Sequence, residues 1–377
     1  MQFRDLKRQY EVLKGDIDRS IEQVLEDGQF ILGRHVGELE EQLAHYVGVR
    51  HCISCANGTD ALQLVLMAWG IGEGDAVFTS DFTFFASAGS ISIAGATPVL
   101  VDIDIQTYNM APDCLEKEIQ MVLKEGKLTP KAIIPVDLFG LPCDYPKICE
   151  IAKRYGLRVL EDGAQGFGGA ISDRRACSFG DASTTSFFPA KPLGCYGDGG
   201  AIFTNDDKTD EKLRSLCAQG RSPEDKYDNR AIGMNSRLDT LQAAILLPKL
   251  KAFVKHEIED INQVAAWYNE QLCGKVKTPC IPENYLSSWA QYTIQLKNEQ
   301  QRNDLQGYLK GKDIPSMVYY PRAIHQQSVY ENRRMDDGHY PNASEAAACV
   351  LSLPMHPYLT RDEVIQVSQT VLTFIGD

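Results

Sequence analysis

Seven short, mostly apolar runs punctuate the first part of the chain: CISCA (52–56), AVFTS (76–80), TPVLVDI (97–103), KAIIPVD (131–137), LRVLED (157–162), ASTTSFF (182–188) and GAIFTN (200–205). Between many of them the spacing of apolar residues is helical, as in ALQLVLMAW after Asp60, in the segment from Cys114 to Leu123, and in YPKICEIAKRYG from Tyr145. Near-continuous apolar strands alternating with helices predict an α/β fold, with a mostly parallel sheet covered by helices on both faces. The alternation stops near residue 220, at the polar loop GRSPEDKYDNR. A long helical region, SRLDTLQAAILLPKLKAFVKHEIEDINQVAAWYNEQL, follows. Beyond it WAQYTIQL and SMVYY read as strands, and the stretch after Thr360 reads as a helix. This divides the chain into a large α/β domain over 1–235, which includes an N-terminal helical segment, and 236–377, which holds connecting helices and a smaller C-terminal α+β domain. No internal repeat or low-complexity segment interrupts the pattern.

With 377 residues, 44% hydrophobic and 24% charged, the chain has the profile of a globular protein. The net charge, 38 − 51 = −13, argues against nucleic acid or an anionic membrane as the main partner. An anionic substrate would need cations gathered at its site. No apolar run reaches the roughly 18 residues of a membrane span. The N-terminal MQFRDLKRQYEVLKGDIDRS lacks the apolar region of a signal peptide. A cytoplasmic location is therefore expected. The 11 cysteines are scattered and odd in number, which suggests reduced thiols. Cys52 and Cys55 form a CxxC, but no second pair completes a zinc site and no metal is expected. In a strand the two thiols would point to opposite faces.

Ligands of open α/β sheets bind at the carboxyl ends of the strands, so the residues that follow each run carry the functional reading. After CISCA comes NGTDALQLVL. Gly58 allows close backbone approach, and Thr59 and Asp60 open a helix, which makes a seat for phosphate. The plainer role for Thr59 or Asp60 is to cap that helix. LRVLED leads into GAQGFGGA, so Asp162 sits at a strand end, where a buried carboxylate needs a partner, and Gln165 follows three residues later. In SFFPAKPLGCYGDGG, Lys191 lies between Pro189 and Pro192, which hold the segment out of helix. A half-buried lysine loses proton affinity, and its free amine can form a Schiff base with a carbonyl. Taken alone, Lys191 reads better as a lysine whose stem covers Phe188. Together, a Schiff-base lysine, a phosphate seat and a strand-end acid compose a pyridoxal phosphate site. There the acid keeps the pyridine nitrogen protonated and the lysine moves the substrate's proton.

The chain resembles the DegT/StrS-type sugar aminotransferases, which belong to fold type I of the pyridoxal phosphate enzymes. The likeness runs through GQFILGRHVGELEEQLAHYVG, NGTDALQL, SDFTFFASAGSISIAGATPVLVDID, VLEDGAQ, TTSFFPAKPLGCYGDGGAIFTN, NSRLDTLQAAIL and LSLPMHP, in that order. The resemblance implies the residue roles. Lys191 is the lysine that carries the cofactor, Asp162 the partner of its pyridine nitrogen, and Gln165 the partner of its phenolic oxygen. Phe84 stacks on the cofactor ring. Gly58, Thr59, Asp60 and Ser186 hold the phosphate, and Asn235 reaches the same phosphate from the other subunit of a homodimer. Arg237, Tyr320 and His325 fall in segments that hold the sugar nucleotide. The plainer role for Arg237 is to brace its helix through Asp239 or a neighbour.

Three departures stand out. EDGAQ replaces the frequent EDAAQ, and the methyl group missing at Gly163 should matter little. Tyr319 stands where many members have a histidine, and a phenol cannot carry the positive charge of a histidine. The loop 220–230 carries charges of no evident use. The wording is most like that of enzymes aminating C3 of a 3-keto nucleotide sugar, a UDP-N-acetyl-3-ketoglucuronate in O-antigen synthesis in particular, with glutamate as donor. The alternatives are amination of another 3-keto sugar (dTDP- or UDP-linked), a pyridoxal phosphate-dependent sugar dehydratase, and a non-catalytic cofactor-binding regulator. The glycine groups GFGGA and GDGGA lack the spacing of a nicotinamide dehydrogenase.

Overall fold

The structure, a computed structural model, describes residues 1–376 apart from 223, 226 and 334–337. All seven apolar runs form strands: β1 (His51–Cys55), β2 (Asp75–Ser80), β3 (Thr97–Val101), β4 (Thr129–Ile134) and β5 (Arg158–Asp162), then, after the short β6 (Ala170–Ile171) and β7 (Arg174–Arg175), β8 (Ala182–Ser186) and β9 (Gly200–Thr204). They build one seven-stranded sheet in the order β1-β9-β8-β5-β4-β2-β3. Pairings from β3 through β8 are parallel, while β9 runs antiparallel to both β8 and β1. Two antiparallel pairings in succession restore the direction, so β1 points the same way as β5 and β8. Their three carboxyl ends therefore open on one edge of the sheet. The registers Cys55↔Gly200 and Ser186↔Gly200 bring the ends of β1 and β8 level across β9.

Helices cover both faces. Helix Gly58–Trp69 buries Leu62 and Val65 against Ile53, Cys55, Leu160 and Ile202. On the other face, helices Arg34–Val47 and Thr240–Ala252 bury Leu39, Leu43 and Leu246 against Cys52, Ala201 and Phe203. Cys52 and Cys55 thus belong to two separate cores on opposite faces of β1, both as free thiols. Farther along the sheet, helices Pro112–Glu125 and Tyr145–Tyr155 close over Phe78 and Ile133. Burying a residue such as Phe78 stabilises the fold by about 1.5–3 kcal/mol.

Beyond residue 220 the long helical region is continuous: Thr240–Ala252, a π-helical turn Phe253–Glu257, and Ile258–Leu272. A separate core follows, in which helices Ile258–Leu272 and Arg361–Gly376 pack on a further small sheet. After β10 (Tyr285–Leu286), which pairs with β6, that sheet is made by β11 (Tyr292–Gln295) and the antiparallel β12 (Val350–Leu353). SMVYY, expected as a strand, makes only a single bridge, Met317 to Ser352. Pro315 and Pro321 bracket it, and neither has an N–H for a ladder. In the loop 220–230, Arg230 pairs with Glu224 at 2.9 Å and with Asp228 at 3.0 Å, so part of its charge neutralises itself; Lys226 lies outside the described residues.

Candidate active site

The phosphate seat is built first by a cap. Asn57 sits in extended backbone between β1 and helix Gly58–Trp69, and its Oδ1 accepts the N–H of Asp60 at 2.8 Å. Neither Thr59 nor Asp60 is the capping residue. The N–H groups of Gly58 and Thr59, the first of the helix, have no acceptor within it. A Cβ on Gly58 would lie 2.8 Å from Cβ of Ser186, so only glycine lets the helix end come beside the Ser186 hydroxyl. Donors from β1 and β8 thus converge with the positive end of a helix, as an anion requires.

Asp162 ends β5 and is 5% exposed. Its Oδ2 accepts from the Ser87 hydroxyl at 2.8 Å and its Oδ1 from the N–H of Ala164 at 3.2 Å. Burial raises its pKa, while Ser87, the Ala164 N–H and the Lys191 ammonium pull it down. Gln165 is buried in the turn that follows; its Oε1 accepts the N–H of Phe139 at 2.9 Å and its Nε2 donates to the Tyr320 hydroxyl at 3.1 Å. Lys191 emerges from the loop after β8, half-buried, with its own N–H bonded to the carbonyl of Phe188 at 2.9 Å. Burial lowers its pKa; Asp162 opposes that effect and Arg4 reinforces it.

These groups line one cavity of about 450 Å³, together with Gly58, Thr59, Phe84, Ser186, Tyr319 and Tyr320. That volume lies in the range of ligand sites, about 300–1,000 Å³. Larger hollows on the surface do not touch these residues. Phe84 stays 53% exposed and lies against Tyr320, with ring centroids 6.0 Å apart. An amine, an acid opposite it, an exposed aromatic ring and an anion seat at one end fit pyridoxal phosphate.

Four expected residues lie outside the cavity. The Asp60 N–H is taken by the Asn57 cap and its carboxylate accepts the Ser236 hydroxyl at 2.7 Å, so Asp60 ties the helix to the 236 segment and is no phosphate ligand. His325 is 2% exposed; its Nδ1 lies 2.6 Å from Oδ2 of the fully buried Asp81, and its N–H donates to Oδ1 at 2.8 Å. It braces the 319–327 segment against the end of β2 and is not among the residues that line the cavity. Asn235 is exposed, and Arg237 donates to its Oδ1 at 2.5 Å. Of the plainer alternatives for Arg237, Asp239 or a neighbour, it is thus a neighbour that it binds. Gly163 is not the neutral departure it seemed: a Cβ there would sit 2.6 Å from Sγ of Cys177, which fills the space of a methyl group.

The sequence reading passed over Asn57, although an Asn before a helical run is an N-cap signal. It also passed over Ser87 and Gln291. Ser87 reaches Asp162 from a helix 75 positions earlier, and Gln291 lines the cavity with a buried, unpartnered Oε1. No local pattern marks either residue.

The DegT/DnrJ/EryC1/StrS aminotransferase family matches residues 12–372. A UDP-2-acetamido-2-deoxy-3-oxo-D-glucuronate aminotransferase of Pseudomonas aeruginosa is 47% identical over 95% of this chain and 96% of its own. The crystal structure of a DegT DnrJ EryC1 StrS aminotransferase from Brucella abortus superposes with a TM-score of 0.97, at 46% identity and 100% coverage of both chains. NtdA from Bacillus subtilis, solved with bound PMP, superposes with a TM-score of 0.86 at 28% identity, over 97% of this chain and 82% of its own. Likeness of this extent, in sequence and backbone together, places the chain in the DegT/DnrJ/EryC1/StrS aminotransferase family, as a sugar aminotransferase whose cofactor is pyridoxal 5′-phosphate.

Proposed function

We propose that this aminotransferase moves an amino group from glutamate to C3 of a UDP-3-keto-N-acetylhexosaminuronate, for the sugars of O-antigen and lipopolysaccharide. We further propose that it works in the cytoplasm as a homodimer with shared sites. The observation that carries the reading is Arg237. In a chain of net charge −13, it is a cation that makes no ion pair among the described residues. It stands beside exposed Asn235, outside the cavity of its own chain, where a second subunit could present both to the facing site. A uronate needs such a group, since arginine's planar fork suits a carboxylate. The 3-oxo-glucuronate in the name of the P. aeruginosa relative supports the same substrate.

Bound pyridoxal phosphate supplies the electron sink for chemistry at the carbon bearing nitrogen. The protein's own groups do the rest. Nζ of Lys191, biased to its neutral form by burial, takes and returns the proton. Asp162 holds a proton at the pyridine nitrogen, and its bonds from Ser87 and Ala164 fix its plane. Gly58, Thr59 and Ser186 would hold the phosphate, joined by Asn235 of a second copy. Gln165, whose Nε2 donates to the Tyr320 hydroxyl, would offer that hydrogen to the phenolic oxygen; Phe84 would cover the ring, and Tyr319 and Tyr320 would line the sugar side.

The test compares the 3-ketouronate with its uncharged 6-hydroxymethyl analogue in wild type and Arg237→Ala, with glutamate as donor and the product read by mass. The reading requires wild type to prefer the uronate and the variant to lose that preference. Equal use of both sugars by wild type removes the uronate. Loss of water from the sugar with no glutamate consumed makes the protein a dehydratase, and bound cofactor with no turnover of any sugar makes it a regulator.

A further inference from the structure

The loop that presents Lys191 is held from behind by two cations that come from distant parts of the chain. Arg4, in the segment before the first helix, donates through Nη2 to the carbonyl of Pro192 at 3.1 Å. Lys249, 1% exposed in helix Thr240–Ala252, donates to the carbonyl of Gly194. These two carbonyls belong to the residues one and three positions after Lys191. The loop has no slack of its own: a Cβ on Gly194 would lie 2.5 Å from the carbonyl oxygen of Pro189. The N-terminal segment is itself anchored at the site. The carbonyl of Phe3 accepts the N–H of Met355 at 3.0 Å, and the Phe3 ring meets Tyr319 edge-on at 6.1 Å.

Arg4 is also expensive where it stands. Its Nη1 is buried and has no hydrogen-bond partner among the described residues. A buried, half-satisfied guanidinium is destabilising unless its position serves something else. Among the described residues no carboxylate lies within ion-pair distance; Glu257, the acid that acts on it, is occupied by Gln9 at 2.9 Å and by the Tyr358 hydroxyl.

We propose that Arg4 is a positioning residue for Lys191: its guanidinium clamps the Pro192 carbonyl, which fixes the turn that presents the amine and keeps a positive charge behind it. The inference rests on Lys191 being the cofactor lysine. The charged and titratable groups around the pair come from every neighbouring element. Asp162 at the end of β5 favours the charged amine, and Arg4 opposes it. Glu257 in the π-helical turn partly balances Arg4. Lys249, beside Cys195 of the Lys191 loop, is itself held down at about 8 by burial, with Arg4 adding to the effect. His356, after β12, is held at about 4 by burial and by Arg4, so it stays neutral at working pH. Asp198 and Tyr320 share the cavity with Lys191. Among the described residues Arg4 is thus the fixed cation acting on Lys191 from outside its own loop.

The test labels the full-length, cofactor-free protein with an amine-acylating reagent across a pH series. The rate at Lys191 is read by peptide mass spectrometry, with exposed Lys310 as internal control. Arg4→Gln keeps a donor for Pro192 without the charge, and Arg4→Lys keeps the charge. Loss of a fixed cation raises the pKa of the amine, so the Lys191 midpoint moves to higher pH in Arg4→Gln. A shift of about half a unit means roughly threefold slower labelling below the midpoint. Arg4→Lys should stay at the wild-type midpoint. A wild-type midpoint in folded Arg4→Gln, or an equal shift in Arg4→Lys, overturns the proposal. If a melting curve shows Arg4→Gln unfolded, Arg4→Met, which fills the same buried space without charge, is labelled instead. Its Lys191 midpoint must move to higher pH, and an unmoved midpoint overturns the proposal. Borohydride treatment with pyridoxal phosphate tests the underlying reading separately: if wild type fixes cofactor elsewhere than at Lys191, the site assignment fails, whatever Arg4 does.

Discussion

Replacing Asp162 with asparagine should slow the enzyme and stabilise the empty protein at the same time. The carboxylate sits 5% exposed with two donors, Ser87 at 2.8 Å and the Ala164 N–H at 3.2 Å. An asparagine of the same shape can keep both contacts. Its Oδ1 accepts from Ala164, and its Nδ2 donates to Ser87, whose own proton turns to Thr83 Oγ at 3.3 Å. The fold therefore survives the change, but the negative charge proposed to face the pyridine nitrogen is gone. One charge-assisted hydrogen bond is worth about 1.5–3 kcal/mol, so transamination should fall by roughly 10- to 150-fold from that loss alone. Stability moves the other way. Burial raises the Asp162 pKa above its unfolded value, so the ionised form is penalised in the folded state only. The penalty is fully present above the raised pKa and is lost as pH falls from there to the unfolded value. Asparagine imitates the protonated acid. Asp162→Asn should melt higher than wild type at pH 8.5, and the difference should shrink as pH is lowered toward about 4, the unfolded carboxylate's own range. The assays are single-turnover absorbance of the cofactor with glutamate, and melting of the cofactor-free protein at several pH values. Transamination within a factor of two of wild type refutes the electron-sink role, and a melting difference that grows as pH falls refutes the burial penalty.

Lys191→Ala should abolish both transamination and the mass increment that borohydride fixes on the loop peptide 186–200; a variant transaminating at the wild-type rate rules out the mechanism. Mixing inactive Lys191→Ala with inactive Asn235→Ala chains should return activity from one competent site per mixed dimer, and exchange demonstrated without returning activity removes Asn235 from the shared site. His325→Ala should act on stability rather than on the sugar, because it leaves the buried Asp81 without its side-chain partner at 2.6 Å. We expect a loss of about 1–3 kcal/mol in denaturant unfolding with sugar preference unchanged, and an altered preference at unchanged stability would return His325 to the substrate.

Much of this protein is legible locally. The seven apolar runs became the seven strands of the main sheet, because a strand covered on both faces must be apolar along its length whatever its neighbours are. The restrained backbone around Lys191 and the opposite-facing thiols of Cys52 and Cys55 follow from proline geometry and the two-residue strand period alone. Those are properties of consecutive residues, and the chain's own covalent geometry determines them. Tertiary structure decided what meets what. Only the two antiparallel pairings of β9 turn the ends of β1, β5 and β8 to one edge, so that Gly58, Asp162 and Lys191 share a cavity. Asp60 and His325 have the chemistry of site residues, but Ser236 and Asp81 reach them first, across 176 and 244 positions. Arg4 has no motif around it and still meets the carbonyl next to Lys191, 188 positions away. Periodicity states which face of an element is buried. It cannot state which distant polar group is waiting there, since that depends on the packing of the whole chain, and a buried hydrogen bond is won by whichever partner the fold brings within about 3 Å.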